Sequence, residues 1–409
     1  MTAVTRGLFA AFVVGLGLSI TLAQGALALL TILMLIGLRE PAARASARWP
    51  LWRPVVAFSA ATLLSALASG HAGDALIASK GLLLAAALYV TAAMLRDVEA
   101  ADRFLAGLTA VLLVAAVTGL LQVAVCPGPG VPERTPRWLY HRCDRAHGFF
   151  SIYMTLAGVL LLGLLAGLPR LLPGVEPLRA WRPVAWLVML GGLVATYTRG
   201  AWLGFGAGVL VVASAIRRGR LLLLAGLVLL ALGALAAPYT LRQRVISMTD
   251  LQGEGPRERA YMWRSGLAMW RAHPLLGVGP GGVKREYERH ALPEAAKKRT
   301  SHLHNTPLQI LAERGLVGLA AWTWIWVAFF LVGLRRFRSW PPEASRERAL
   351  VLGSLAAIAG FLVAGLTEYN FGDSEVVMAA WAIMALPWAV AEKPPSPPAP
   401  LPGGERGAH

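Results

Sequence analysis

Long apolar runs separated by short polar breaks dominate the chain, and their lengths predict membrane helices rather than a soluble core. Twelve spans are expected, at about 7–21, 22–38, 54–69, 74–95, 103–125, 147–168, 183–198, 200–216, 220–238, 316–334, 347–367 and 374–391. Some fall short of the ~20 residues that a perpendicular helix needs. The first pair and the 183–216 pair are therefore compatible with re-entrant segments or with a locally thin bilayer. The first run imitates a signal peptide but continues past Leu38 without a processing site, so it reads as two uncleaved spans. The pattern thus predicts an all-α polytopic membrane protein of about 12 transmembrane helices. Residues 1–238 supply helices 1–9 with a short external loop at 126–146, 239–315 form a long external loop, 316–391 supply helices 10–12, and 392–409 are a Pro-rich disordered tail.

Inside the long loop the periodicity changes. Arg257, Arg264 and Arg271 recur every seven residues, with Trp263, Leu267 and Trp270 on another side, so 257–271 predicts an amphipathic helix at the membrane interface. The following turn, Gly277 to Gly282, is rich enough in glycine for positive φ and close backbone approach. Next comes a readable helix start: Thr306 suits the N-cap, Pro307 the first helical position, and Gln309 completes a capping box. His304 then lies just outside a helix N-terminus, where the positive dipole end favours a neutral, proton-accepting imidazole and attracts anions.

Composition and charge sharpen this picture. Of 409 residues, 56% are hydrophobic and only 15% charged, with mean hydropathy +0.57; soluble domains carry nearer a quarter charged residues. The net charge is +17, and 34 of the 39 basic residues are Arg. Short loops holding Arg39, Arg44, Arg96, Arg103, Arg170, Arg182, Arg217, Arg335 and Arg348 mark the cytoplasmic side, which both termini join. The opposite side is basic too: 126–146 carries Arg134, Arg137, Arg142 and Arg145, and 239–315 carries thirteen Lys or Arg. Long loops have no topological reason for such charge, so the external face is expected to handle anions. Charge spread over short loops between spans argues against nucleic acid as a partner. Arg145, Arg199 and Arg264 stand at external helix edges, where guanidinium groups grip phosphate bidentately. Lys80 is expected about 1.5 turns inside the fourth span, where a cation is costly unless functional. His302 and His304 lack further metal ligands at suggestive spacing, so no metal and no cofactor are expected. Glu313, nine residues beyond His304, suits a structural partner for an arginine better than a base.

Four segments in order carry a resemblance. Arg145-Ala146-His147-Gly148-Phe149-Phe150, Thr198-Arg199-Gly200-Ala201, His273-Pro274-Leu275-Leu276-Gly277-Val278-Gly279-Pro280, and His304-Asn305 with Leu308, Glu313, Gly315 and Gly318 resemble the O-antigen ligase and polymerase superfamily. The resemblance implies a GT-C-like helical architecture in the bacterial inner membrane with a site facing the periplasm. It implies an inverting, metal-independent glycosyltransferase moving a glycan from undecaprenyl diphosphate to lipid A–core in lipopolysaccharide biosynthesis. His304 would be the catalytic base, Arg145, Arg199, Arg264 and Lys80 would bind the donor diphosphate, and Asn305 and Glu313 would lend support. An O-antigen polymerase or a protein O-oligosaccharyltransferase of the same superfamily is the alternative; a transporter or flippase of lipid-linked or anionic substrates is more remote, since neither inverted repeats nor midplane ionisable pairs stand out. Cys126 and Cys143 share one external loop, and in an oxidising periplasm they are expected to form a disulfide that holds Arg145 in place.

Overall fold

The computed structural model describes residues 2–125, 145–172, 174–175, 181–216, 253–341 and 345–390. The predicted span at 220–238, Cys126 and Cys143, and the tail 392–409 lie outside the described residues. Within them every regular element is helical. The helices are α1 (Ala3–Leu18), α2 (Ile20–Gly37), α3 (Pro41–Ser46), α4 (Trp52–Ala68), α5 (Ala72–Ala78), α6 (Ala86–Met94), α7 (Val98–Ala124) and α8 (Tyr153–Gly167). They continue as α9 (Trp181–Ala195), α10 (Arg199–Ser214), α11 (Glu254–Ala272), α12 (Gly282–His290), α13 (Thr306–Ser339), α14 (Ser345–Ala364), α15 (Ser374–Met384) and α16 (Leu386–Ala389).

Six of these stretches are long and apolar enough to cross a membrane: α2, the α5–α6 stretch Ala72–Met94, α7, Tyr153–Leu171, α13 and α14. Five shorter apolar helices accompany them: α1, α4, α9, α10 and Ser374–Ala389. Together they match the expected spans apart from 220–238. The protein is therefore an all-helical, polytopic membrane protein over its described residues.

Close backbone contact sets the packing of the central helices. Gly200, Gly204 and Gly208 recur every four residues on α10 and face α14: a Cβ on Gly204 would stand 2.4 Å from the Gly360 carbonyl oxygen, and one on Gly360 would stand 2.7 Å from that of Gly204. Small residues at four-residue spacing let two helices approach where lipid offers no hydrophobic drive for association. At the end opposite the one described below, Asp102 of α7 is gripped by both Arg170 and Arg346, and Arg336 donates to the Pro387 and Val390 carbonyls at 3.1 and 2.6 Å.

α13 begins at Thr306, ten residues before the expected span edge, and is broken at Gly315 (φ 63°, ψ −166°). This backbone region is open essentially to glycine alone. An unbroken helix would pair Leu316 N–H with Ala312 O and Val317 N–H with Glu313 O. Instead the segment 274–279 is spliced into the ladder. Leu316 and Val317 donate to the Pro274 and Leu275 carbonyls at 2.9 and 3.2 Å, while Val278 and Gly279 donate to Ala312 O and Glu313 O at 3.0 and 2.9 Å. The Ser65 hydroxyl of α4 lies 2.6 Å from Leu276 O and 2.8 Å from Glu313 O. A Cβ on Gly315 would stand 2.2 Å from Leu275 O.

Gly315→Ala should therefore cost roughly 1–3 kcal/mol in backbone strain, read as a lower melting temperature in detergent. Gly25→Ala, mid-helix with open space around it and ordinary φ, should not lower the melting temperature and should raise it slightly.

Candidate active site

The loop 365–373 between α14 and α15 gathers His304 and Asn305 of the sequence-selected residues, and not Arg264 or Lys80. Thr306 donates its backbone N–H to Gly365 O at 2.7 Å, and its hydroxyl lies 2.9 Å from Glu368 O and 3.0 Å from Asn370 Oδ1. Asn305 Nδ2 donates to Leu366 O at 2.9 Å, and its Oδ1 accepts from Leu308 N–H at 2.9 Å. The N-cap of α13 is thus Asn305, one residue earlier than expected. Thr306 is buried against the loop, and Pro307 takes the second helical position. Gln309 does not close a capping box with Thr306; it accepts from Leu303 N–H and donates to Glu313 Oε1, at 2.8 and 2.9 Å.

His304 sits in the left-handed region at φ 49°, a conformation that residues other than glycine keep only when their surroundings hold it. Its Nδ1 lies 2.9 Å from Glu368 Oε2, and the other carboxylate oxygen takes a 2.6 Å bond from Arg259 Nη2. The His304 side chain is 20% exposed, so the ring is held yet reachable. His302 packs edge-on to it with ring centroids 4.4 Å apart, and its Nδ1 lies 2.9 Å from the Ser301 hydroxyl. α11 lies across this region. Trp263 Nε1 donates to Leu303 O at 3.1 Å, and Met262, Met269, Tyr287, Leu303 and Ala312 form a second buried core beneath α11 and α12.

Four helix N-termini meet this loop. α13 does so through Thr306. α10 does so through Gly200, where an added Cβ would stand 2.2 Å from Thr367 Oγ1. α8 does so through the Thr155 hydroxyl, 2.5 Å from Asp373 Oδ2, and α15 does so through Asp373, its N-cap. Arg199 is the first residue of α10. Arg145 stacks over the Tyr153 ring at 4.2 Å, and the next residue, Ala146, donates to Ala195 O at 2.9 Å. Arg145 and Arg199 therefore belong to the same end of the bundle as His304. Arg264 is exposed on α11. Lys80 is exposed on the tight helical segment Ser79–Ala85 that follows α5. Glu313 is buried and accepts from Arg314 Nη1 at 2.9 Å, as its spacing suggested. Arg314 in turn reaches the Thr62 hydroxyl at 3.2 Å. Burial pushes the nearby Tyr369 hydroxyl up to about 12, so it stays protonated.

Sequence reasoning missed Glu368, Arg259 and Tyr369. A signal existed: Glu368, Asp373 and Glu375 cluster in one short interspan turn of a chain with 22 acidic residues. Arg259 carried none, because the seven-residue arginine rhythm drew attention to the other face of its helix.

Burial lowers the affinity of His302 for a proton, and His304, Arg259 and Lys297 act in the same direction against Glu368. The folded state then binds fewer protons than the unfolded one as pH falls through about 6.5, so acidification destabilises the fold and stability is regained above that value. Melting temperature in detergent should drop between pH 7 and 5, and His302→Gln should flatten that dependence.

Residues 184–323 match the O-antigen ligase family, a stretch that holds Arg199, Arg264, His304 and Glu313. A curated relative, the exopolysaccharide production protein ExoQ of Rhizobium meliloti, is 29% identical over 121 residues, which is 28% of this chain and 28% of the relative. The chain thus spans little more than a quarter of that relative's length. Three of the four motif segments, all but Arg145–Phe150, fall within residues 184–323, the third of the chain that is similar to the O-antigen ligase family.

Proposed function

We propose that the protein is an inverting glycosyltransferase of polysaccharide assembly, moving a glycan from undecaprenyl diphosphate to the sugar hydroxyl of lipid A–core at the periplasmic face of the inner membrane. The observation that carries this reading is the meeting of four helix N-termini on the loop beside His304, with Arg145 and Arg199 at the same end of the bundle. Each helix N-terminus offers about half a positive charge, and the guanidinium groups add full charges that do not titrate. That field suits a diphosphate whose negative charge grows as it leaves. His304 takes the acceptor proton at Nε2. The acceptor oxygen bonds to the anomeric carbon, and the bond from that carbon to the phosphate oxygen breaks with its electron pair on the diphosphate. Attack opposite the leaving group inverts the anomeric centre. Arg264 and Lys80 contact the donor from the exposed side. The likeness to ExoQ, named for exopolysaccharide production, supports a polymerase as the second reading, in which a second lipid-linked glycan is the acceptor.

In purified protein supplied with polyprenyl-linked glycan and lipid A–core, His304→Ala should reduce transfer by about a hundred- to ten-thousand-fold while leaving donor binding intact. Arg199→Ala and Arg264→Ala should weaken donor binding as well as turnover, because they meet charge already present in the ground state. His302→Ala should retain transfer. A fully active His304→Ala variant removes the histidine from the mechanism, and product only between two lipid-linked glycans selects the polymerase. For orientation, His290→Cys should be labelled from the periplasm in intact cells; labelling only after the inner membrane is permeabilised reverses the topology.

A further inference from the structure

We propose that Glu368 is the positioning residue for His304, and that Arg259 is a clamp on Glu368 rather than a ligand of the donor. This rests on the reading of His304 as the base.

The two carboxylate oxygens have separate tasks. Oε2 faces His304 Nδ1 at 2.9 Å, and Oε1 faces Arg259 Nη2 at 2.6 Å. A carboxylate can only accept, so Nδ1 carries the hydrogen and Nε2 is left with the lone pair. That is the tautomer a base needs. When Nε2 takes the acceptor proton, the carboxylate lies against the imidazolium and stabilises it, without taking the proton itself.

The carboxylate is also held from behind. Its own carbonyl lies 2.9 Å from the Thr306 hydroxyl, Leu366 O accepts from Asn305, and Asn370 Nδ2 donates to Phe361 O at 2.7 Å. The base and its partner are therefore fixed by one set of contacts, since Asn305 and Thr306 directly follow His304. The left-handed backbone at His304 fits this arrangement: it turns the ring out of the helix direction and back onto the loop. Arg259 spends its guanidinium on an ion pair with side chains 34% and 14% exposed. It approaches from α11, an element that neither His304 nor Glu368 belongs to. Docking of α11 thus completes the site. The charged and titratable groups around His304 are Glu368 from the loop 365–373, His302 beside it, Arg259 from α11, and Tyr369 next to Glu368.

The test compares wild type, Glu368→Gln, Glu368→Asp, Arg259→Lys and Arg259→Ala in the transfer assay across pH. Glu368→Gln should lower kcat by about a hundred-fold or more with the donor KM within about two-fold. Its acid limb should move to lower pH, because the imidazolium has lost its carboxylate. Diethyl pyrocarbonate labelling of His304, followed by mass spectrometry, should show the same displacement without any turnover. Glu368→Asp keeps the charge but withdraws it by one methylene, and should fall between wild type and Gln. Arg259→Ala should lower kcat by about ten-fold with donor KM unchanged, and Arg259→Lys should recover part of the loss. A wild-type kcat and labelling profile in Glu368→Gln overturns the proposal. So does a raised donor KM with unchanged kcat in either Arg259 variant, which would make Arg259 a donor ligand. If Glu368→Gln fails to fold, the Asp variant and the labelling profile of Arg259→Ala decide in its place. Loss of activity in His304→Ala with wild-type behaviour in Glu368→Gln sinks only the positioning role. Full activity in His304→Ala sinks the underlying reading.

Discussion

The break in α13 at Gly315 is the constraint on which the His304 end of the described structure depends. A helix that leaves the membrane and continues as one straight rod would carry its N-terminal turn past the bundle. Here two ladder bonds are opened, and both donors and both acceptors are taken up by residues 274–279. Buried irregular backbone is tolerated only when its polar groups are satisfied. The splice satisfies them without side chains other than Ser65. It fixes the direction of residues 306–314, hence the place of Asn305 and His304. It also ties the end of α11 to the same point, because 274–279 begins two residues after that helix stops.

A second constraint acts from the membrane side. The glycine row of α10 brings its backbone against α14, so the N-terminus of α10 arrives at the loop that follows α14. That loop is short, and four helices start against it. Helix N-termini repel one another electrostatically unless something negative lies between them. Glu368 and Asp373 supply that charge in the protein alone, Glu368 beside His304 and Asp373 capping α15 directly. In the proposed reaction, a diphosphate would enter a field that the loop has already partly balanced.

The fold was legible because membrane spans are long, one-sided patterns that survive uncertainty of a few residues at each end. The eleven described apolar helices fall where the runs of Leu, Ala, Val and Gly place them. His304 and Asn305 were legible because a helix start has local chemistry, although the cap itself lies one residue earlier. Thr306 suits an N-cap equally well in isolation; burial of its hydroxyl against Glu368 O and Asn370 Oδ1 decides the matter, and that contact spans more than 60 residues of sequence. Glu368 and Arg259 were not legible for the same reason. Their pairing joins α11 to a turn 109 residues away, and no local spacing encodes it.

The arginines on α11 show how far a periodic pattern carries. At ~100° per residue, Arg259 and Arg264 lie about 140° apart around the axis. The first turns inward to Glu368, while the second is exposed with Arg257 and Arg271. The seven-residue rhythm therefore marks the outer face of the helix correctly and hides the inward residue. It follows that Arg264 meets a ligand only from the open side of α11, whereas Arg145 and Arg199 approach from the helix ends of the bundle. In the proposed reaction, a donor touching all three would bridge α11 and the helices of the bundle. Arg259, paired with Glu368, ties α11 to the loop beside His304, together with the Trp263–Leu303 hydrogen bond.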